Sequence, residues 1–368
     1  MIDNPLFVNV IGCCRSGTTL CGRLLERRFN VAIPWEAHFI PLFQRFIWIW
    51  GDLRNEKNRR MLLKAIYSFL EMFTLEVSVG KDMPEEAHFN LEKITSYTLL
   101  ATRGREDAIV DGVDSYSGLV EAIYREYASI HGYRHYGDKS ASFRNIRSDL
   151  TYQAAPNAKY IHMIRDGRDV ALSWMKIWNG PLSVSEAAWL WEEHVRLKRE
   201  FGLSIPDQYL EIRYEDLLND EESVLARIGQ FLGAPVLDDT AADVGLGKVI
   251  AQSPIMPLGN KKVQRDNQGK WKSRMSQEDL AFFEYFAGDV LRSSNYEQPQ
   301  LSPVAPKEME LRIKGVRERI RVWLLTLFSI QNLRIRVKML FGKPLLPLVI
   351  GLFQITGIDF VNIFKKIR

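Results

Sequence analysis

Residues 6–29 read LFVNVIGCCRSGTTLCGRLLERRF, and this stretch decides the fold. Its first six residues form a short apolar run with β-branched side chains, which predicts a buried strand. Leucines follow at helical spacing, so a helix is predicted over residues 18–29. Between them, Gly12 and Gly17 have the G-x-x-x-x-G spacing of a phosphate-binding loop. The stretch therefore predicts a strand, an anion-binding loop and a helix in direct succession.

The predicted loop has the means to bind an anion. Gly12 and Gly17 allow the backbone to curl so that its N–H groups converge, and the helix adds roughly half a positive charge at its N-terminus. A nucleotide-hydrolysing loop of this type has lysine directly after the second glycine, but that residue is Thr18 here. The cation of the loop is instead Arg15. The structural alternative is a loop that only turns a strand into a helix.

A second anion-binding pattern follows the apolar run KYIHMI at residues 159–164, which predicts another strand. Arg165 stands where this strand ends, and Ser173 lies about two turns into the next predicted helix. A strand-end arginine and a helix serine can converge on one phosphate, the arginine through a forked, charge-assisted contact. Taken singly, Arg165 is equally compatible with a surface ion pair to Asp166 or Asp169, and Ser173 with a packed helix residue.

Together these segments resemble the sulfotransferases that depend on 3′-phosphoadenosine 5′-phosphosulfate (PAPS). In that family a Lys or Arg precedes S-G-T-T, and an R-[DN]-x-R-D-x-x-x-S block follows a later strand; residues 165–173 have this order. The resemblance implies that Arg165 and Ser173 bind the 3′-phosphate. It also implies that the 5′-phosphosulfate is held by the first loop, that is, by Arg15, Ser16, Gly17, Thr18 and Thr19.

Other segments extend the resemblance over about residues 6–296. GDKS at residues 137–140 resembles the family's D-K-[TS] segment, whose lysine, here Lys139, reaches the active site. YEDLL begins at Tyr214, and NQGKW ends with Lys270 and Trp271. The latter resembles the late G-x-W loop that closes over the nucleotide, although the usual R-K-G start of that loop is absent. Tyr214, Lys270 and Trp271 are therefore further candidates for nucleotide binding.

The remaining pattern alternates strands and helices. Strands are predicted at residues 108–113, 159–164 and 208–214, and helices at 39–78, 117–131, 168–177, 183–201, 215–233 and from Ser276 onward. Such alternation favours an α/β fold with a parallel sheet. The resemblance implies a P-loop-like three-layer fold, in which helices flank a central parallel sheet.

The resemblance also implies the reaction, an in-line transfer of the sulfuryl group to a hydroxyl or amine acceptor with release of 3′,5′-ADP. Arg15 and Lys139 are the cations expected to stabilise the leaving phosphate. The resemblance makes Glu36 the first candidate for the base, because some branches of the family use a glutamate in the segment after the first helix, and desolvation beside Trp35 is expected to raise its pKa. His38 is the alternative base, because other branches use a histidine. No metal is expected, since no cluster of ligand residues has metal-binding spacing.

Composition sets outer limits on these predictions. The chain has 368 residues, of which 46% are hydrophobic and 26% charged, which excludes disordered and collagen-like proteins. Its three cysteines lie within one short segment, which favours a reducing compartment. The first seven residues lack the pattern of a secretory signal. We therefore expect a cytoplasmic protein.

Pro299, Pro303 and Pro306 mark a linker at residues 299–306, which separates a domain at residues 1–298, identified as a sulfotransferase domain by the resemblance, from a tail at 307–368. The tail has 13 basic and 4 acidic residues, a net charge of +9 against −5 for the first 306 residues. Apolar and basic residues alternate at helical spacing over 309–340, which is typical of a basic amphipathic helix. We expect this helical tail to bind an anionic membrane surface peripherally on its cytoplasmic face, rather than nucleic acid. Packing of the tail on the domain or in a dimer is the alternative.

The acceptor is expected to be a small molecule or, if the tail lies on a membrane, a glycolipid-type molecule. Two other functions remain open at this point. A P-loop kinase or NTPase-like enzyme predicts lysine at position 18, where the chain has threonine. A non-catalytic, membrane-associated protein on a sulfotransferase fold predicts losses among Arg15, Lys139, Arg165 and Ser173, and all four are present.

Overall fold

The computed structural model describes residues 4–78, 95–140, 148–177, 180–181, 183–239 and 266–301. Residues 72–78 are described by their backbone alone. The whole predicted tail and most of the predicted linker lie outside these residues. Within the described part of the chain, no helix is both long enough and apolar enough to cross a bilayer.

The fold is built on a parallel sheet of five strands in the order β2-β3-β1-β4-β5. The strands are β1 (Phe7–Gly12), β2 (Val31–Ala32), β3 (His135–Asp138), β4 (Lys159–Ile164) and β5 (Tyr209–Arg213). The last residue of β1, Gly12, pairs with Met163, and the last residue of β4, Ile164, pairs with Arg213. Because all the strands run the same way, the segments that follow β1, β3, β4 and β5 leave the sheet at one common edge.

Helices connect these strands and cover both faces of the sheet. They are α1 (Thr18–Phe29), α2 (Phe39–Arg45), α3 (Glu56–Ser78), α4 (Glu106–Val110), α5 (Tyr116–Ile130), α6 (Ser148–Ala154), α7 (Gly167–Trp174), α8 (Val184–Ser204), α9 (Tyr214–Asn219), α10 (Glu221–Leu232), α11 (Trp271–Arg274) and α12 (Gln277–Ser293). Short 3₁₀ turns lie at Ile47–Trp50, Leu99–Thr102 and Pro206–Gln208.

Two apolar cores hold the helices against the two faces of the sheet. On one face of the sheet, Val8 and Val10 of β1 pack with Leu25 of α1 and with α10. On the other face, Trp174 of α7, Trp191 of α8 and α12 form a second core with Cys13 and Cys14 of the loop after β1. The predicted α/β fold with helices on both sides of a central parallel sheet is therefore confirmed.

The strand predicted over residues 108–113 is wrong, because the chain forms α4 there. Glu106 and Asp107 occupy the first turn, where acidic side chains favour a helix N-terminus, and Ile109 and Val110 are buried. Three apolar residues in succession do not distinguish a strand from one buried helical turn.

The strand next to β1 is β3, at a segment that the sequence analysis did not assign to the sheet. Its residues 137 and 138, Gly and Asp, are poor strand formers. The glycine is nevertheless required, since a Cβ at Gly137 would lie 2.3 Å from the carbonyl oxygen of Val8. The close approach of the β1 and β3 backbones therefore explains why β3 contains Gly137, a residue type that is unfavourable for a strand when only the sequence is considered.

We predict that Gly167→Ala destabilises the domain by about 1–3 kcal/mol through overpacking. A Cβ at this first residue of α7 would lie 2.4 Å from the ring of Trp191 and 2.7 Å from that of Phe283. Urea unfolding measures the loss. The control is Gly288→Ala in α12, where the nearest atoms belong to the movable ends of Glu284 and Arg292. That variant should lose little, because alanine favours a helix, and equal losses in both would contradict the packing argument.

Candidate active site

The loop after β1 turns tightly because two of its residues adopt a left-handed backbone, Arg15 at φ 69° and Gly17 at φ 88°. The N–H of Ser16 donates to the carbonyl oxygen of Cys13 at 3.2 Å, and that of Cys21 to Gly17 at 3.0 Å, which starts α1. A Cβ at Gly17 would also lie 2.4 Å from the ring of Tyr214. Glycine is therefore required here by the backbone and by its neighbour, and the non-glycine Arg15 is held in a strained conformation typical of functional loops.

The structure brings the two predicted anion-binding segments into direct contact. Arg15 Nε donates to Ser173 Oγ at 3.0 Å, although 158 residues separate them along the chain. Arg165 Nη1 donates to the carbonyl oxygen of Arg15 at 3.3 Å. The loop after β1, the residue that ends β4 and the helix α7 therefore form one site.

This site is short of negative charge. Burial lowers the pKa of Arg15, and the neighbouring Arg165 lowers it further, although Cys14 and Glu36 act in the opposite direction. Ser16 Oγ and Arg165 Nε are buried and have no hydrogen-bond partner within the described part of the chain. Buried polar groups are nearly always satisfied, so these atoms fit a bound anion such as a phosphate.

Arg165 is held from several sides. Its guanidinium carbon lies 4.6 Å from the centre of the Tyr214 ring, and Nη2 donates to the carbonyl oxygen of Asn267 at 2.8 Å. The side chain is 8% exposed, and the nearest Asp169 oxygen is 3.9 Å away. Asp166 instead binds Arg168 through two hydrogen bonds of 2.9 and 2.8 Å. Arg165 is therefore not paired with Asp166, and its ion pair with Asp169 is buried instead of lying on the surface.

The segment of residues 267–271 closes this side of the site. Asn267 Nδ2 donates to the hydroxyl of Tyr214 at 2.9 Å, and Lys270 Nζ donates to Asn267 Oδ1 at 2.7 Å. Trp271 is buried, with the Arg168 guanidinium carbon 3.6 Å from its ring centre, and its N–H donates to Asp169 at 2.9 Å. Trp271 thus anchors the segment against α7 instead of presenting an open ring.

Sequence reasoning missed Asn267, Arg168 and Asp169 as parts of this arrangement. The signal for two of them was present, because both lie inside the R-D-G-R-D block that begins at Arg165. Nothing in the sequence pairs that block with Trp271, since 102 residues separate Asp169 from it.

A second group of charged side chains meets at the end of β3. Lys139 is fully buried, and its Nζ donates to Glu36 Oε1 at 2.5 Å. The other oxygen of Glu36 accepts from His38 Nε2 at 3.0 Å. Lys139 Nζ also lies 5.9 Å from the centre of a Trp35 ring. The two candidate bases and the second candidate cation therefore form one hydrogen-bonded chain, Lys139–Glu36–His38.

Ser140 positions this chain. Its Oγ accepts from the backbone N–H groups of Ala37 and His38, both at 3.1 Å, and holds His38 in a left-handed conformation at φ 53°. The Ser140 hydroxyl donates to Asp138 Oδ1 at 2.9 Å, where Tyr124 also donates at 2.7 Å. The segment after β3 therefore fixes the segment that carries Glu36 and His38.

The expected rise in the pKa of Glu36 is wrong. Burial raises it, as the sequence analysis expected, but the Lys139 ammonium and His38 outweigh burial and lower the pKa to about 2. The lysine is 103 residues away along the chain, so no local pattern around Trp35 could reveal it. In this structure Glu36 is a tightly paired carboxylate.

We predict that Glu36 makes the fold sensitive to acid. A carboxyl with pKa about 2 when folded, against an ordinary 4.5, contributes stability that is present above pH 4.5 and lost as the pH falls through 2. The free energy of unfolding of the wild type, minus that of Glu36→Gln, should therefore fall by about 2 kcal/mol between pH 5 and pH 3. Urea unfolding measures this difference, with the exposed Glu200→Gln as control. A difference that does not change with pH would contradict the lowered pKa.

The sequence profile of the sulfotransferase family matches residues 5–239, more than half of the chain. The sulfotransferase domain from the curacin biosynthetic pathway is 17% identical at a TM-score of 0.50, over 80% of this chain and 99% of that one. The sulfotransferase domain of the Synechococcus PCC 7002 olefin synthase is 19% identical at a TM-score of 0.47, over 80% and 97%. No curated protein matches the chain. By its sequence match, and with the fold that the curacin-pathway domain shares, the chain belongs to the sulfotransferase family.

Proposed function

We propose that this sulfotransferase takes the sulfuryl group from PAPS, passes it to a hydroxyl or amine acceptor, and releases 3′,5′-ADP. The observation that carries the proposal is the contact between two anion-binding segments, in which Arg15 binds Ser173 and Arg165 binds the backbone of Arg15. A 3′-phosphoadenosine has two separate phosphate groups to be held, at its 3′ and 5′ positions. ATP has no 3′-phosphate, so ATP binding would not explain the second anion-binding segment at Arg165.

The unsatisfied groups of the site support a nucleotide of this charge. Ser16 Oγ and the N-terminus of α1 are available in the first loop for the 5′-phosphosulfate, and Arg165 Nε is available for the 3′-phosphate. Thr18 and Thr19 begin α1 and add two hydroxyls. Tyr214 and Asn267 hold Arg165 in place, so its fork is oriented before the nucleotide binds.

In the proposed reaction the acceptor oxygen or nitrogen bonds to sulfur as the bond from sulfur to the 5′-phosphate oxygen breaks. The electrons of the broken bond go to that phosphate oxygen, and the acceptor proton goes to a base. Arg15 is the cation of the phosphate loop and stabilises the leaving phosphate. Lys139 is a second buried cation, which Glu36 orients before the reaction.

For the base, the geometry favours His38 over Glu36. Both oxygens of Glu36 are hydrogen-bonded and its pKa is about 2, so it is a weak proton acceptor near neutral pH. His38 accompanies Gly12 and Ser140 in lining the cavity beside the phosphate loop, where an acceptor hydroxyl can approach. Glu36 then acts through His38, as a carboxylate that holds and polarises an imidazole.

We predict that His38→Gln lowers kcat by about a hundredfold or more, the contribution of a general base. Glu36→Gln should leave measurable activity, because Glu36 holds the imidazole of His38 and does not itself take the proton. Steady-state rates measure both effects, with Glu200→Gln as the control for a lost surface carboxylate. If Glu36→Gln is inactive and His38→Gln is active, the prediction is contradicted and Glu36 is the base.

We predict that 3′,5′-ADP raises the melting temperature of the purified protein more than 5′-AMP does. A ligand that binds only the folded state at a hundredfold excess over Kd stabilises it by about 2.7 kcal/mol. Arg165→Ala should weaken 3′,5′-ADP about ten- to a hundredfold, since it removes a charged hydrogen-bond donor, and should leave 5′-AMP nearly unchanged.

The exposed Arg196→Ala is the matched control for Arg165→Ala. Equal losses for both nucleotides in Arg165→Ala would show that Arg165 does not bind the 3′-phosphate. Stabilisation by Mg-ATP without stabilisation by 3′,5′-ADP would favour a kinase instead. The glycolipid-type acceptor stays a prediction. The binding of residues 307–368 to an anionic membrane also stays a prediction, because these residues lie outside the described part of the chain.

A further inference from the structure

Five large apolar residues in succession lie at the surface of the domain instead of in its core. Residues 46–50 read Phe-Ile-Trp-Ile-Trp and include the 3₁₀ turn Ile47–Trp50, and none of the five is buried. Trp48 is 73% exposed. Single exposed apolar residues are common on protein surfaces, whereas a run of this length is unfavourable in water unless it has a function. We call residues 46–50 the apolar turn.

Packing at one end of the apolar turn holds Trp48 at the surface. The ring of Trp50 stacks on that of Phe43 in α2, with 6.2 Å between the ring centres. Phe43 in turn packs edge-on against Phe69 of α3 at 5.9 Å. The turn is therefore tied to two helices through Trp50, while Trp48, two residues earlier, stays in contact with solvent.

Positive charge surrounds the apolar turn. Residues 45–64 contain six basic and two acidic residues, a net charge of +4, although the first 306 residues together have a net charge of −5. Both acidic residues pair with arginines of the same segment. Arg45, Lys57 and Lys64 are exposed and pair with no carboxylate in the described part of the chain. Lys57 and Lys64 also lie on the same face of α3 as Met61, which is 50% exposed.

This combination of residue types fits the surface of an anionic bilayer. Tryptophan is enriched where a membrane meets water, because its ring is largely apolar and its N–H is polar. Lysine and arginine beside such residues attract anionic lipid headgroups. The cores of protein–protein interfaces are instead poor in lysine. The apolar turn and the unpaired cations near it therefore favour a lipid surface over a second protein.

The apolar turn is also close to the candidate active site. Helix α2 begins directly after His38 and ends at Arg45, one residue before the turn. Its residues Ile40 and Pro41 line the same cavity as His38. Seven helical residues span about 10 Å. A bilayer at the apolar turn would thus be about one short helix away from the cavity.

We propose that the apolar turn inserts Trp48 into the surface of an anionic bilayer, while exposed basic residues of the segment 45–64 contact the lipid headgroups. The surface belongs to the described domain, so the inference concerns a different part of the chain from the tail at residues 307–368. It also stands apart from the proposed reaction, because it depends on neither the nucleotide nor the acceptor.

The experiment measures sedimentation of the full chain with vesicles made of equal amounts of phosphatidylserine and phosphatidylcholine, and with vesicles of phosphatidylcholine alone. The wild type should bind the anionic vesicles more tightly. Trp48→Ser should weaken that binding about tenfold or more, the effect of withdrawing one large apolar side chain from the bilayer. Leu203→Ser is the matched control, since Leu203 is 82% exposed at the other end of the domain's longest described cavity-lining helix, α8. It should bind as the wild type does.

The cations are tested in the same assay. Lys57→Gln and Lys64→Gln should each weaken binding to anionic vesicles about fivefold, the effect of one basic residue near a charged membrane surface. Binding to phosphatidylcholine alone should not change. Arg227→Gln, at an exposed position on α10, is the control for a lost surface charge.

Fluorescence reports on Trp48 directly, even where another part of the chain also binds the vesicles. The chain has nine tryptophans, and Trp48→Phe removes one of them while keeping an apolar ring. With brominated acyl chains in the vesicles, the emission of the wild type should be quenched more than that of Trp48→Phe. The variant should still sediment with the vesicles.

Three results would overturn the inference. The first is a wild type that does not sediment with anionic vesicles, and the second is equal quenching of the wild type and Trp48→Phe. The third is a fall in molar mass, measured by light scattering, when Trp48 is replaced by serine, because a second copy of the chain would then cover the turn. Since Trp48 is mostly exposed, Trp48→Ser should keep the melting temperature of the wild type.

Discussion

The parallel pairing of β1 with β3 and β4 is the constraint on which the rest of the structure depends. It requires close backbones, since a Cβ at Gly12 would lie 2.7 Å from the carbonyl oxygen of Met163 and one at Gly137 would lie 2.3 Å from that of Val8. Because these strands are parallel, the phosphate loop, Lys139 and Arg165 leave the sheet at one edge, although β3 ends opposite Asn9, three residues before the end of β1. A side chain at either glycine would separate the strands and, with them, the charged groups that form the site.

That common edge concentrates positive charge, and the protein compensates each cation differently. Lys139 has a carboxylate, Glu36, within hydrogen-bond distance. Arg165 has the face of Tyr214, a backbone carbonyl and a buried Asp169 oxygen at 3.9 Å, and within the described part of the chain Arg15 Nε donates to the hydroxyl of Ser173. A ring, a carbonyl and a hydroxyl stabilise a guanidinium without cancelling its charge, so part of the attraction for an anion remains. The paired Lys139 lies on the side of the candidate base, whereas the two arginines lie on the side proposed for the nucleotide.

Much of this arrangement could be predicted from the sequence, and the failures have physical causes. The strand before the phosphate loop, the helix after it and the strand at Lys159–Ile164 follow from local patterns that tertiary packing reinforces. The strand at His135–Asp138 was missed because its glycine serves a backbone contact with a distant strand. The pKa of Glu36 was expected to shift in the wrong direction, because burial can be read beside Trp35 but the ion pair with Lys139 exists only in the folded chain. Local secondary structure can thus be predicted from the sequence, whereas the pKa of Glu36 depends on a contact with Lys139, which is 103 residues away along the chain.

Tyr214 shows why the site residues should behave as a unit. Its ring packs against Gly17 of the phosphate loop and lies 4.6 Å from the guanidinium carbon of Arg165, while its hydroxyl accepts from Asn267. Three segments that are far apart in the chain therefore meet on one aromatic side chain, and the same ring sets the spacing between both anion-binding segments. A shift of this ring would move the phosphate loop and Arg165 together. Because residues that share a partner couple energetically, substitutions at Gly17, Arg165 and Asn267 cannot be treated as independent. Under the proposed function, the position of Tyr214 would set the distance between the two bound phosphates.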